Sequence, residues 1–273
     1  MRRNLPVAGA RARLAFTLVE MLVVIAIIGI MAAISVPAIK NFQKSDAEAA
    51  ATRQLLDDIA RARQFAISQR STVHMVFVPD VWFSLSNSLG GFNLEQRIAA
   101  TNLIPRQMVG YNFVSVREVG AQPGQTTPKY LSEWRSLPEG MFIAPSKFFM
   151  VAGQTLVVND PPLPQGPTLR SFVVRGFDTN SIPFPTADST SKFILPSLTF
   201  NSLGQLVPND NREEEIIPLA RGRTIHPLDA NKRPTFAPPT LEELPAGNST
   251  NAFALIIVDR LTGRARIEQP TPQ

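Results

Sequence analysis

The sequence predicts an α+β protein: one long N-terminal α-helix, then an antiparallel β-sheet domain with long Pro-rich loops. Three observations predict it. The run Phe16 to Ile39 holds 24 residues and one charge, Glu20. Residues 40 to 70 follow with helical spacing of apolar side chains and no Gly or Pro. Beyond residue 70, short alternating runs rich in Val, Ile and Phe are separated by turn residues, and 20 of the 24 Pro lie after residue 120.

Residues 1 to 15 carry Arg2, Arg3, Arg11 and Arg13 and no acid. As a helix, the 24 residues of 16 to 39 span about 36 Å, enough for a bilayer core of about 30 Å. Arg before the run, and Lys40 and Lys44 offset by Asp46 and Glu48 after it, place the N-terminus in the cytoplasm and the remainder exported. A cleaved secretory signal has a shorter apolar region, of about 7 to 15 residues. An ordinary signal anchor explains the length but not Glu20, because a carboxylate in the apolar layer costs about 2.5 to 3.5 kcal/mol.

The stretch 40 to 70 continues the helix, so that one helix runs from about Thr17 to Gln69 with a bend at Pro37. Leu55, Leu56, Ile59, Ala62 and Ala66 form the stripe that packs on a sheet, and Asp57 with Arg61 is spaced for an ion pair. Strands are expected at Ser71–Val78, with Val73, Met75 and Phe77 on one face, and at Gly110–Val119. Shorter ones are expected at Met141–Ala144, Thr155–Val158, Ser171–Arg175 and Leu198–Phe200. A closing hairpin joins Phe253–Asp259 to Arg264–Glu268 over the turn Arg260 to Gly263. Proline density predicts loops at 120–140, 159–169, 176–192 and 205–250, either as an interaction surface or as solvated decoration.

Ala15-Phe16-Thr17-Leu18-Val19-Glu20, with the apolar run after it, resembles the class III signal of type IV prepilins and type II secretion pseudopilins. The resemblance implies a pilin-like fold and cleavage between Ala15 and Phe16 by a prepilin peptidase. It also implies N-methylation of Phe16 and a role for Glu20 in assembly with other pilin or pseudopilin subunits. Pro37 matches a Pro at which the family's helix loosens. Ala15 departs from the Gly usual before the cut. A buried Phe16 amine and Glu20 of a neighbouring subunit form a natural pair, since an unpaired buried charge is expensive. Gly29 and Ala33 put small residues on one face, as at close helix contacts and as in many membrane helices.

Three further segments, ARARQFAISQRSTVHMVFV, LTFNSLGQL and IIVDRLTGRARI, resemble landmarks of the GspH/FimT group of minor pilins and pseudopilins. There, a Gly-Arg-x-Arg motif is implicated in DNA binding, and Gly263-Arg264-Ala265-Arg266 matches it. Arg264 and Arg266 leave one face of the last strand beside Arg260, a set suited either to phosphates or to guarding an edge strand.

Elsewhere the chemistry is sparse. His74 reads as a structural strand residue, and His226, before Pro227, has no evident partner. The run Asn209 to Glu215 offers oxygen ligands to a hard cation but lacks calcium-loop spacing, which favours a solvated acidic loop. No nucleophile elbow, phosphate loop or metalloprotease helix is present, so no enzyme and no cofactor is expected. Without Cys there are no disulfides. The whole chain is +5, and 5 − 4 = +1 once the four leader Arg are removed, so the basic balance is mostly a targeting signal.

The expected organisation is a cleaved basic leader (1–15), a transmembrane and assembly helix (16–39), its amphipathic continuation (40–70) and an exported β-rich domain (71–273). The expected role is that of a structural, minor pilin or pseudopilin subunit of a type IV pilus or a type II secretion pseudopilus. The alternatives are a DNA-binding minor pilin for DNA uptake and a signal-anchored binding domain that never polymerises.

Overall fold

The structure is a computed structural model. It describes residues 18–79, 93–117, 120, 127–149, 155–159, 171–189, 192–235, 237–251 and 254–268, and within helix or strand the side chains of 32–46, 149, 155–159, 171 and 250–251 lie outside the description. The chain divides into two units, residues 1–45 and 46–273. Helix α1, Leu18–Gln69, contributes to both.

In the first unit the side chains from Leu18 to Met31 are exposed, Leu18 at 82% and Ile25 at 66%. Among the described residues no helix is long and apolar enough to cross a membrane.

The second unit is α+β. A six-stranded antiparallel sheet is built from β1 (Val73–Phe77), β2 (Gly110–Ser115), β3 (Lys129–Tyr130), β4 (Arg135–Ser136), β8 (Asp178–Pro183) and β9 (Lys192–Phe200), in the order β3-β2-β1-β9-β8 with β4 also on β2. A five-stranded sheet holds β5 (Met141–Ile143), β10 (Glu214–Ile225), β11 (Thr240–Glu243), β12 (Ala254–Asp259) and β13 (Ala265–Glu268), in the order β11-β10-β12-β13 with β5 on β10. Strands β6 (Thr155–Asn159) and β7 (Ser171–Arg175) make a separate pair. Short helices α2 (Leu94–Thr101), α3 (Ser146–Phe149) and α4 (Asn248–Asn251) fill the connections.

Four of the five predicted stripe residues, Leu55, Ile59, Ala62 and Ala66, are the packing stripe, joined by Ala51, while Leu56 is only partly buried. Ala51, Leu55, Ile59, Ala62 and Ala66 are fully buried against Val73, Met75, Phe77, Tyr111 and Phe113 of one sheet and Ile217, Leu219, Ile256 and Val258 of the other. Each fully buried Leu or Ile contributes about 1.5–3 kcal/mol, so this seam fixes the helix on the domain. The alternate face of β1 is buried as well: Val76 and Val78 join Val114, Ile182, Phe184 and Leu195 under Ala100, Leu103 and Ile104.

Polar ties reinforce the seam. Glu48 pairs with Arg221 of β10. Asp58, nearly fully buried, accepts the Tyr111 hydroxyl at 2.6 Å and Arg135 Nε at 2.8 Å. Arg63 Nε donates to the Thr262 carbonyl at 2.8 Å. The helix then stops in a Schellman motif: Arg70 takes φ +48°, its N–H donates to Ile67 O, and Ser71 N–H donates to Ala66 O.

Two loop expectations are overturned. Residues 176–192 contain β8, and 205–250 contain β10, the 12-residue centre of the second sheet. Pro218 sits inside β10 because its carbonyl accepts Ala144 N–H at 2.9 Å, just past the end of β5. The missing N–H thus falls where β5 has stopped. Among its described residues, the segment 120–140 contributes β3 and β4, two residues each. Most of 159–169 lies outside the described residues. Arg61 meets Asp58 at 3.9 Å, one residue from the expected partner Asp57.

Candidate functional site

Glu20 stands in the first turn of α1, among exposed apolar side chains. Ala15 and Phe16 lie outside the described residues. Pro37 lies within the helix, and its side chain and the expected bend there are outside the description. What is described is therefore one end of the apolar run: a carboxylate on an apolar helix whose side chains from Leu18 to Met31 are exposed.

The second site is where three distant sequence landmarks meet. The turn after β9 is closed by Asn201, whose Oδ1 accepts the N–H groups of Leu203 and Gln205, both at 3.0 Å. Its Gly204 has φ +77°, and a Cβ there would lie 2.7 Å from Ile67 Cδ1 of α1. The β12–β13 turn is closed by Asp259, whose Oδ1 accepts Thr262 N–H and Oγ1–H at 2.7 Å each. Those Thr262 bonds hold the Asp259 carboxyl below its usual range. Gly263 has φ +62°, and its absent side chain lets Gly204 O approach to 2.0 Å from where a Cβ would stand. Leu206 N–H donates to Arg260 O at 3.0 Å, and Arg63 spans from the helix to Thr262. Two glycine turns and one helical Arg form a tightly fitted junction that displays Leu203 and Leu261, each about 70% exposed (72% and 71%).

The three sequence-selected Arg share this hairpin but differ in state. Arg264 is exposed and Arg260 half-buried. Arg266 pairs with Glu214 at 2.8 Å and with Glu268 at 3.7 Å. Any phosphate at Arg266 competes with those carboxylates.

His74 is a buried strand residue with Nδ1 2.9 Å from Thr199 Oγ1, and burial lowers its pKa to about 4, so it is neutral near pH 7. His226 has a partner, Gln107 Oε1 at 3.1 Å, and burial lowers its pKa too. The acidic run is not a simple solvated loop. Arg212 at its centre is buried and bonds Asp210, Glu215 and Asp178. Among the described residues, no group of three or more His, Cys, Asp or Glu is placed to hold a metal.

Sequence reasoning missed Arg63, Asp58 and the Arg212 network. The signal for Asp58 was present: it interrupts the apolar stripe between Leu55 and Ala62, where a carboxylate needs buried partners. Arg212 gave none, since its partners come from residues 30 or more positions away as well as from its own run.

Neither among curated proteins nor among solved structures does any match the chain significantly. Residues 10–36 match the family model of the prokaryotic N-terminal methylation motif, a stretch that contains Ala15, Phe16 and Glu20. The chain carries a type IV pilin-like N-terminal signal, of the kind processed by a prepilin peptidase.

Proposed function

We propose that this protein is a structural subunit of a pilin-like fibre, in the minor pilin or pseudopilin class. The methylation motif at residues 10–36 carries the reading. A prepilin peptidase cuts between Ala15 and Phe16, and the Phe16 amine is methylated. The apolar segment 16–39 first anchors the subunit in the inner membrane, with the basic leader in the cytoplasm and the β-rich domain outside. It then packs among other subunits as the fibre core. Glu20 pairs there with the Phe16 amine of a neighbour, which sets the axial register. The exposure of Leu18 to Met31 supports this, because that much apolar surface calls for a lipid or protein cover.

The work is assembly, and no catalytic step is assigned. Co-expression with a prepilin peptidase, followed by N-terminal sequencing, tests the reading. The expected product begins at Phe16 with a methylated amine; a chain still beginning at Met1 overturns it.

A further inference from the structure

Exposed apolar side chains of the second unit stand in two places with opposite charge beside them. On α2, Leu94 and Ile98 lie four residues apart on one side of the helix and are 74% and 53% exposed. Glu95 beside them is exposed, and among the described residues its carboxylate has no cation partner. Arg97 is engaged within the chain. The helix is firmly set: Asn93 and Gln96 close a capping box, and Ala100 is buried behind it. The other place is the glycine junction, where Leu203 and Leu261 stand out from two capped turns. There Arg63, Arg260 and Arg264 face Asp259 and Glu213, and among the described residues none of the three guanidinium groups has a carboxylate partner. The junction is therefore basic.

The two patches are separated within one chain. Val73, Met75 and Phe77 of β1 face α1, whose Arg63 and Ile67 meet the junction. Val76 and Val78 face the other way, towards Ala100 of α2 and the residues after it. The junction and α2 thus lie on opposite sides of the six-stranded sheet.

We infer that the junction of one copy docks on the α2 face of the next, with Leu203 and Leu261 covering Leu94 and Ile98 and with Arg264 meeting Glu95. The contact presupposes the fibre reading above. Two different surfaces on opposite sides of a sheet make a heterologous contact, which propagates along a row of copies instead of closing on a pair. A symmetric pairing of either patch would set Arg264 against Arg264 or Glu95 against Glu95, and like charges repel. The remaining exposed leucines offer no such match. Leu228 shares its loop with exposed Lys232 and Arg233. The acids before Leu244 are taken, Glu242 by Arg223 and Glu243 by Ser249. Each patch is small beside the roughly 800 Å² that a stable interface takes from each partner. The contact therefore orients domains that a helix-packed core already holds close, and it gains from their effective concentration.

Thiol cross-linking of the full chain, in cells that carry the assembly machinery, tests the contact. The chain has no Cys, so Ile98→Cys and Leu261→Cys introduce the only thiols. With a short bis-maleimide, the double variant is expected to give a ladder of dimers, trimers and higher multiples of the chain, and each single variant none. Arg264→Glu in that background cuts the ladder about fivefold, and adding Glu95→Arg restores it. No ladder, adducts only to proteins of other mass, a ladder indifferent to Arg264→Glu, or a loss that Glu95→Arg does not restore overturns the inference. So does a dimer from either single variant, which reports a symmetric contact. Photo-crosslinking from position 25 separates this failure from that of the fibre reading. Adducts there without a ladder overturn the contact alone, and absence of both overturns the two together.

Discussion

Two portions of one helix are chemically alike and structurally opposite. Ile25 and Ile28 are 66% and 59% exposed, whereas Leu55 and Ile59 are fully buried. The buried portion alternates its apolar residues with Arg53, Asp57 and Arg61, leaving one face for the sheets and one for water. The exposed portion is apolar all round apart from Glu20, a pattern suited to a lipid or multi-subunit environment. Helix identity thus says little about partner. The distribution of charge around the helix says which apolar surface is satisfied inside the chain and which is left for other molecules.

The largest expected effect lies in the exposed portion. Glu20→Ala should leave cleavage intact and reduce assembly at least about a hundredfold, since breaking a buried ion pair costs about 3–5 kcal/mol. Immunoblots of sheared fibres and of membranes give both readouts. Next comes the direct contrast. Leu55→Ala should destabilise the domain by about 2–5 kcal/mol, while Ile25→Ala should change its unfolding by less than about 0.5 kcal/mol. Denaturant unfolding in micelles separates them, and equal effects would erase the comparison.

The remaining predictions concern the domain alone, and none should alter processing. Because burial holds His74 near 4, below its ordinary 6.5, its contribution is complete above 6.5 and declines as pH falls towards 4. The loss approaches about 3 kcal/mol, and His74→Gln should flatten that limb of a stability–pH curve. Gly263→Ala forces a Cβ onto Gly204 O at φ +62° and should lower stability by about 1–3 kcal/mol, seen as a lower Tm. Smallest is Arg266→Ala, an exposed pair partner worth less than about 1 kcal/mol. Combined with Arg264→Ala, it also reports on DNA: unchanged retention on DNA at low salt would remove that alternative.

The sequence made the helix legible because Leu55, Ile59, Ala62 and Ala66 repeat at helical spacing, and β1 because Val73, Met75 and Phe77 alternate. Strand β10 was hidden by the proline density of 205–250, to which Pro218 belongs, until the neighbouring strands show where an N–H is dispensable. Gly222 is needed because a Cβ there would lie 2.1 Å from Glu242 O. The landmarks around Arg63, Gly204 and Gly263 were visible one at a time. Their meeting was not, because a contact across some 200 residues (|i−j| of 199 for Arg63 and Thr262) leaves no local pattern. Helix α2 carried a readable cap, Asn93 with Gln96.

The central claim is that the portion around Ile25 is covered by other subunits and the portion around Ile59 by its own domain. Photo-crosslinking from benzoylphenylalanine placed at 25 or at 59, in cells that carry the assembly machinery, tests it most directly. The account predicts protein adducts of higher mass from position 25 and only intramolecular products from position 59. Intermolecular adducts from 59, or none from 25, would contradict it.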